Sequence, residues 1–191
     1  MSESHRHDRR LVTALALWIV GNATPLRAAQ VAAPPLPRPL RSLAVLDFEL
    51  VDEQNNPATQ AAQQIRLRLA TAQLQAELSE FGLYRVLDPA PSAALQRRLR
   101  EQQAYLHRCD DCAEQVGRLL GAELVMSTWV QKVSELILNL NVQVYDALAQ
   151  QVLLRKSVDL RGNTDLSWTR AVHYLVRDMA ERRERQPDYG Q

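Results

Sequence analysis

The sequence predicts a single α/β domain in which helices pack on a mixed five-stranded sheet, in the order β-α-β-α-α-β-β-β-α. Three observations favour this class. Two stretches between residues 135 and 160 alternate apolar and polar residues, which is typical of hairpin strands with one covered face. The last helical segment repeats its apolar residues at i, i+3, i+4 and i+7. The first half instead alternates apolar runs with helical segments, as crossover connections do.

Residues 1–29 predict an export signal. Residues 1–10 carry three arginines, an uncharged run follows over 11–20, and residues 21–23 are the small side chains that a signal peptidase reads. This run is about half the ~20 residues that a membrane-spanning helix needs, so we expect no integral anchor after cleavage. Cleavage near Ala28 or Ala29 is an alternative to cleavage after residue 23. A short buried helix or a disordered tail is the alternative to an export signal.

Residues 30–41 predict a proline-rich linker, followed by one domain over 42–181 and a flexible tail over 182–191. A domain of this length is of the usual size. Removing residues 1–29 takes away four basic and two acidic side chains, which leaves 19 basic and 20 acidic ones. Because a surface that gathers phosphates is clearly basic, we expect no nucleic acid among the partners.

The first half of the domain predicts two strands around a long helix. Residues 42–50 (SLAVLDFEL) form an aliphatic run typical of a buried strand. Residues 59–81 are rich in Ala, Gln, Leu and Glu, which favour helix, and Gly82 is placed to end that helix in the left-handed conformation. Residues 83–87 then predict the second strand. The expected buried stripe of the helix comprises Ile65, Leu69, Leu74, Leu78 and Phe81.

The second half predicts two short helices, over 93–105 and 113–120, and then three consecutive strands over 124–133, 135–146 and 151–160. The last strand is expected to point Val152, Leu154, Val158 and Leu160 inward, with Lys156 interrupting the stripe.

The final helix is expected to begin at a cap formed by Thr164 or Asp165. Its apolar stripe is the strongest in the chain and indicates a helix docked on the sheet. The stripe comprises Trp168, Ala171, Val172, Leu175, Val176 and Met179.

Cys109 and Cys112 are the two cysteines of the chain. The C-x-x-C spacing suits a local disulfide in an oxidising compartment, which is our prediction, or a redox dithiol. Asp110 and Asp111 lie between the sulfurs and oppose a thiolate, which disfavours redox chemistry. A zinc site needs more ligands than this segment offers, so no metal or cofactor is predicted.

The turn after the fifth strand is the main candidate contact site. Gly and Asn accept a positive φ, and Thr or Asp caps the helix that follows, so the turn has a purely structural explanation. The functional alternative is that the turn and the helix N-terminus bind a small anion or a polar group of a partner. The candidate residues are Arg161, Gly162, Asn163, Thr164, Asp165 and Trp168.

Three further residues are candidates for binding. Trp129 and Lys132 are expected to line the same region as Trp168. Asp47 ends the first strand, at the carboxyl edge where open α/β sheets place ligands, although a capping role is its alternative. The sequence contains no Ser-His-Asp order, nucleophile elbow or phosphate loop, so we predict that the protein is not an enzyme.

The motifs W-V-Q-K-V-S and R-G-N-T-D-x-S-W, with the segment CDDCAEQVGRLLGAELVM, resemble an uncharacterised family of exported bacterial domains of unknown function. The resemblance covers most of residues 42–177 and departs at Ala147, Leu148 and Ala149, where the family tends to have a Thr-Gly turn. More remotely, the pattern is similar to the amino-terminal domain of TolB and to the curli-secretion lipoprotein CsgG, which implies the fold alone.

These observations predict a periplasmic, non-enzymatic binding or accessory protein that acts on a protein partner or a small ligand. The family resemblance implies an association with a quinoprotein alcohol dehydrogenase system. Two alternatives stay open: a component of cell-envelope assembly or secretion, and a thiol redox protein that uses Cys109 and Cys112.

Overall fold

The computed structural model describes residues 39–54 and 56–191. The predicted export signal and most of the predicted linker lie outside the described residues. The first strand of the described part begins at Ser42. Among the described residues, no helix is both long and apolar enough to cross a bilayer.

The described chain alternates strands and helices in its first half and forms consecutive strands in its second. Short 3-10 turns, Ala90–Ser92 and Leu106–Arg108, precede the second and third helices. The elements in order are β1 (Ser42–Val45), β2 (Glu49–Asp52), α1 (Pro57–Glu80), β3 (Arg85–Val86), α2 (Ala93–Gln102), α3 (Cys112–Leu120), β4 (Leu124–Lys132), β5 (Ile137–Asp146), β6 (Gln151–Arg161) and α4 (Asp165–Arg185).

The strands form one mixed sheet in the order β3-β1-β4-β5-β6, with β2 also paired to β4. β1 is parallel to β3 and β4, and β2 is parallel to β4. β4, β5 and β6 are antiparallel neighbours. The predicted class, a mixed α/β sheet with helices packed on it, is therefore confirmed, with six strands where five were expected.

The extra strand arises because the predicted strand 42–50 divides in two. β1 and β2 pair with successive parts of β4, and residues 46–48 leave the ladder between them. The Leu46 carbonyl accepts from the Thr128 hydroxyl at 2.9 Å, and the Phe48 N–H donates to the Thr71 hydroxyl at 3.0 Å. Buried hydroxyls thus satisfy the backbone groups that leave the ladder.

The helices cover the two faces of the sheet unequally. α1 and α4 pack on one face and enclose the main core with side chains from β1, β4, β5 and β6. α2 and α3 cover the other face, where a smaller cluster lies against β1 and β4. On that second face, β5 presents the half-buried Asn139, Asn141 and Gln143. The sheet therefore has one fully covered face and one that is partly polar and wet.

α4 confirms its prediction in full, because all six residues of its predicted stripe are buried. Thr164 is its N-cap and accepts a hydrogen bond from the Ser167 N–H at 3.2 Å.

The predicted stripe of α1 is partly wrong: Ile65, Leu69 and Phe81 are 50%, 62% and 41% exposed. A helix built mainly of Ala and Gln has little amphipathic contrast, so its apolar residues did not identify the buried face. Two buried polar residues are satisfied within the helix, since Gln63 donates to Thr59 and Thr71 donates to the Leu67 carbonyl, both at 3.0 Å. The residues that α1 buries are Gln63, Leu67, Ala70, Thr71, Leu74 and Leu78.

β6 departs from its predicted alternation at its start. Val144 pairs with Leu154, but Tyr145 pairs with Val152, so Leu153 is an extra residue on β6. A bulge of one residue shifts the side-chain alternation by one position. Val152, expected inside, is therefore 39% exposed.

The chain end differs from the predicted flexible tail. α4 continues to Arg185, and among the residues after it Tyr189 packs against the main core while Gln191 donates to the Leu83 carbonyl at 3.2 Å. The Tyr84 hydroxyl donates to the Gly190 carbonyl at 2.5 Å, and the Arg183 guanidinium lies 4.5 Å from the Tyr84 ring centre while donating to the Leu83 carbonyl. Burial raises the pKa of the Tyr84 hydroxyl, against the opposing effect of Arg183, so Tyr84 remains a neutral donor.

Candidate functional site

The predicted contact turn lies where β6 ends and α4 begins, and the hairpin between β4 and β5 holds it in place. Gly162 has φ +96°, a conformation that a side chain disfavours. Its N–H donates to the Leu136 carbonyl at 3.1 Å, and the Asn163 N–H donates to the Glu135 carbonyl at 2.9 Å. The turn and the hairpin tip therefore form one connected unit.

The Asn163 side chain sits at the centre of this unit. Its amide nitrogen donates to the Glu135 carboxylate at 2.8 Å, and its amide oxygen accepts from the Trp168 indole N–H at 2.9 Å. Arg66 of α1 reaches the same oxygen at 3.4 Å and donates to the Asp165 carboxylate at 2.7 Å. Because Trp168 is buried, Asn163 supplies the partner that its indole N–H needs.

Lys132 lies beneath the turn as a fully buried cation. Its ammonium is 2.7 Å from Glu135 and 3.1 Å from Asp52. Burial works to lower the pKa of Lys132, but the bonds to Glu135 and Asp52 outweigh it and leave the pKa raised. The bonds from Lys132 and Asn163 lower the pKa of Glu135. We call Lys132, Asp52, Glu135 and Asn163 the lysine network.

Two predicted residues lie elsewhere. Trp129 points to the opposite face of β4 from Lys132 and stacks on His107, with ring centres 4.5 Å apart and planes 6° apart. Asp47 follows β1, where its carboxylate is 61% exposed and 3.4 Å from the Arg100 guanidinium. The structure therefore brings together the turn, Lys132 and Trp168, and leaves Trp129 and Asp47 apart from them.

Asp47 does line a cleft at the carboxyl end of β1. This is the point where the chain connects to helices on both faces of the sheet, the usual ligand position in open α/β sheets. The cleft has a volume of about 450 Å³, and its charged lining combines Asp47 and Glu49 with Arg68 and Arg100. Such a lining suits a small polar ligand.

The pairing of His107 with Glu49 was not predicted from the sequence. Nδ1 of His107 is 2.6 Å from the Glu49 carboxylate, which also accepts from the backbone N–H groups of Leu106 and His107 at 2.7 and 3.1 Å. The carboxylate thus holds the segment before the cysteines against β2. An acidic residue in a strand and a histidine far along the chain show no local pattern, so sequence offered no sign of the pair.

Cys109 and Cys112 form the predicted disulfide, with their Cα atoms 5.5 Å apart. Among the described residues, Cys109, Asp111 and Cys112 lie close enough together to be considered as metal ligands. The two sulfurs are bonded to each other and offer no thiolate, which a zinc site requires. The arrangement fits a structural link at the start of α3.

Exposed aliphatic side chains lie on the segments next to the contact turn. Leu136 is 73% exposed, Ile137 and Leu166 are each 57% exposed, and Val133 is 40% exposed. Val133, Leu136 and Ile137 belong to the hairpin between β4 and β5, and Leu166 belongs to the first turn of α4. We call Val133, Leu136, Ile137 and Leu166 the turn-end surface.

A family profile described as "Protein of unknown function (DUF2380)" matches residues 41–179. The chain belongs to this family. The resemblance to a family of unknown function is therefore confirmed, and the match includes the cysteines, the lysine network and the turn-end surface. A comparison with curated proteins finds no match.

Several solved structures are similar to this member of the family. Lipoprotein GNA1162 from Neisseria meningitidis is 17% identical, with a TM-score of 0.47 over 76% of this chain and 98% of the other. TolB from Acinetobacter baumannii is 12% identical, with a TM-score of 0.46 over 79% of this chain and 29% of the other. The C-terminal domain of LpoB from Salmonella enterica is 15% identical, with a TM-score of 0.42 over 63% and 82%.

Proposed function

We propose that the protein is a non-enzymatic accessory protein of the bacterial cell envelope, and that it binds a protein partner through the turn-end surface. The observation that carries the proposal is the display of four exposed aliphatic side chains on a turn and a hairpin tip that hydrogen bonds hold in place. Single exposed aliphatic residues are ordinary on a protein surface, but several on adjoining segments offer apolar area that a partner can cover.

The lysine network supports this role by keeping the surface ordered before a partner arrives. Binding is weakened by the conformational entropy that loops lose when they become ordered. A surface that is already ordered loses less of this entropy and therefore binds more tightly. Lys132 links the hairpin tip to β2 through Glu135 and Asp52, and Asn163 links the hairpin tip to the turn through Glu135. They act as positioning residues, whereas Leu136, Ile137 and Leu166 are the side chains available to a partner.

The size of the surface fits a protein partner. Fully burying an aliphatic side chain contributes about 1.5 to 3 kcal/mol. Leu136, Ile137 and Leu166 are each more than half exposed, so each has most of this contribution still to gain. A few such anchors commonly dominate the affinity of a protein interface.

Site-directed photocrosslinking in the native host tests the proposal. A benzophenone amino acid replaces Leu136 or Leu166, and the control replaces Leu148, which is 83% exposed in the turn between β5 and β6. We expect the same heterologous adduct from positions 136 and 166 and none from 148. Adducts of equal yield from Leu148, or no adduct from the turn-end surface, would contradict the proposal.

A periplasmic location is part of the proposal, supported by the signal-like residues 1–29. Cell fractionation with N-terminal sequencing of the mature protein checks it. Protein that stays in the cytoplasm with residues 1–29 attached would reject this location.

Two narrower roles follow from resemblance alone. If the partner is a quinoprotein alcohol dehydrogenase, mass spectrometry of the Leu136 adduct will identify a dehydrogenase subunit. If the protein is an envelope assembly or secretion component, size-exclusion chromatography of the mature protein will show a large ring or membrane complex. A different adduct, or a monomer in solution, rejects the respective role.

A further inference from the structure

β6 is an edge strand of the sheet, and β5 is its one strand neighbour among the described residues. Along an edge strand, alternate backbone N–H and C=O groups point away from the neighbouring strand and pair with water. An extended segment of another protein can take the place of that water and add a strand to the sheet.

The two halves of β6 differ in how readily they accept another strand. Lys156 points inward, where its ammonium pairs with Asp178 of α4. An inward-pointing charge is one of the devices that protect an edge strand from pairing. Residues 157–161 lack such a charge, because their inward side chains are Val158 and Leu160. The second half of β6 is therefore the unprotected part of this edge.

A groove of about 610 Å³ runs between this half of β6 and α4. The exposed residues Arg161 and Arg170 line it from the strand and from the helix. Neither guanidinium has a hydrogen bond or ion pair with any residue in the described part of the chain. Tyr174 also lines the groove and carries the Arg177 guanidinium 5.7 Å from its ring centre. Two positive charges without a partner among the described residues thus line the groove at an open strand edge, beside the Asp159 carboxylate, which accepts a hydrogen bond from Asn139.

We propose that residues 157–161 of β6 accept an extended acidic segment of a protein partner as an added strand, with its carboxylates meeting Arg161 and Arg170. Main-chain hydrogen bonds to the edge provide affinity in this mode of recognition, and charge complementarity selects the partner. The inference rests on the proposed function only in taking the partner to be a protein, and it names the chemistry of that partner.

Charge bears on two other occupants. A second copy that pairs antiparallel about Asp159 places like charges directly opposite each other, which destabilises a pair of strands, whereas a copy that pairs about Leu160 places Asp159 opposite Arg161 and is an outcome that the test below must exclude. Residues 9–41 of the chain itself contain no acidic side chain, so that segment cannot neutralise Arg161 and Arg170.

Fluorescence anisotropy with a labelled, acetylated Val-Glu-Val-Glu-Val-Glu-Val peptide and the full chain tests the charge requirement. We expect binding that weakens as salt is raised, and at least 10-fold weaker binding when lysines replace the glutamates. The double variant Arg161→Glu/Arg170→Glu is expected to bind the acidic peptide about 10-fold more weakly. The control Arg97→Glu/Arg98→Glu, on the exposed face of α2, is expected to bind within twofold of the wild type. Equal binding of both peptides, or no binding of either, overturns the proposal.

Backbone methylation tests strand addition itself. In an extended peptide, alternate N–H groups point to opposite edges, so methylating either the Val or the Glu nitrogens blocks one edge only. We expect one of the two methylated peptides to lose at least 10-fold in affinity and the other to bind normally. Equal effects overturn strand addition, as does a dimer of the protein that excludes the peptide. Neither outcome affects crosslinking at Leu136 and Leu166, so the proposed function is tested separately.

Discussion

The lysine network and the cysteine segment (residues 106–112) lie on opposite faces of the sheet beside β4. Each holds a part of the chain that is not in a strand against the sheet. The lysine network uses a buried ammonium between two carboxylates. The cysteine segment uses the Cys109–Cys112 disulfide and the contact of His107 with Glu49 and Trp129. The first depends on charge alone and the second includes a covalent bond, so reductant addresses the second and not the first.

The largest expected effect is on the lysine network. Lys132→Met leaves Asp52 and Glu135 beneath the turn without their cation, and breaking a buried ion pair from one side costs about 3 kcal/mol in the free energy of unfolding. Urea denaturation measures this loss, and Arg97→Met, at an exposed position, is the control, with a change below about 0.5 kcal/mol. A Lys132→Met protein as stable as the control would mean that the network does not hold the turn.

The disulfide is expected to have the second largest effect. In the chain-entropy account, a bond that closes so short a loop stabilises the fold by about 2 kcal/mol. Reductant should therefore lower the urea midpoint of the wild type and leave that of Cys109→Ala/Cys112→Ala unchanged. If reductant moved both midpoints equally, its effect would not come from this bond.

The smallest expected effect is the pH dependence that Glu135 contributes. Its pKa is lowered in the folded protein by Lys132 and Asn163, so the stability it contributes is present above its unfolded pKa of about 4.3 and is lost as pH falls through the folded pKa. Because Glu135 is half exposed, we expect Glu135→Gln to lose less than about 1 kcal/mol at pH 7.

Urea denaturation from pH 7 to pH 3 measures this difference, which should shrink toward zero at the acid end. The same titration on Cys109→Ala/Cys112→Ala should keep the acid slope of the wild type. A loss of that slope would mean that the disulfide and the lysine network are coupled across the sheet.

Periodic segments of the sequence predicted their structure well. α4 and β5 each bury a regular set of side chains, and burial of such a set is what periodicity reports, whereas the bulge in β6 exposes Val152. α1 was predicted as a helix, but its buried face was partly wrong because the core accepts Gln63 and Thr71. The break between β1 and β2 depends on hydroxyls of Thr71 and Thr128, which the local sequence cannot reveal.

The candidate site was predicted in part. The turn, Trp168 and Lys132 do lie together, but Asn163 and Trp168 satisfy each other and so support the surface from within. The exposed tip residues Leu136 and Ile137 both lay inside the predicted strand 135–146, and nothing in the strand pattern marked them as exposed. Exposure at a hairpin tip depends on where the neighbouring strands end, which is a tertiary property.

The position of β4 along the chain governs how this domain folds. Leu43 of β1 pairs with Leu124 of β4, about 80 residues later, while the other neighbour of β1 is the two-residue β3. β2 also pairs only with β4 among the described strands. The first half of the domain therefore has no stable sheet of its own until β4 is available. Contacts this distant in sequence slow folding, because the entropy of closing a long loop is lost before the contact forms.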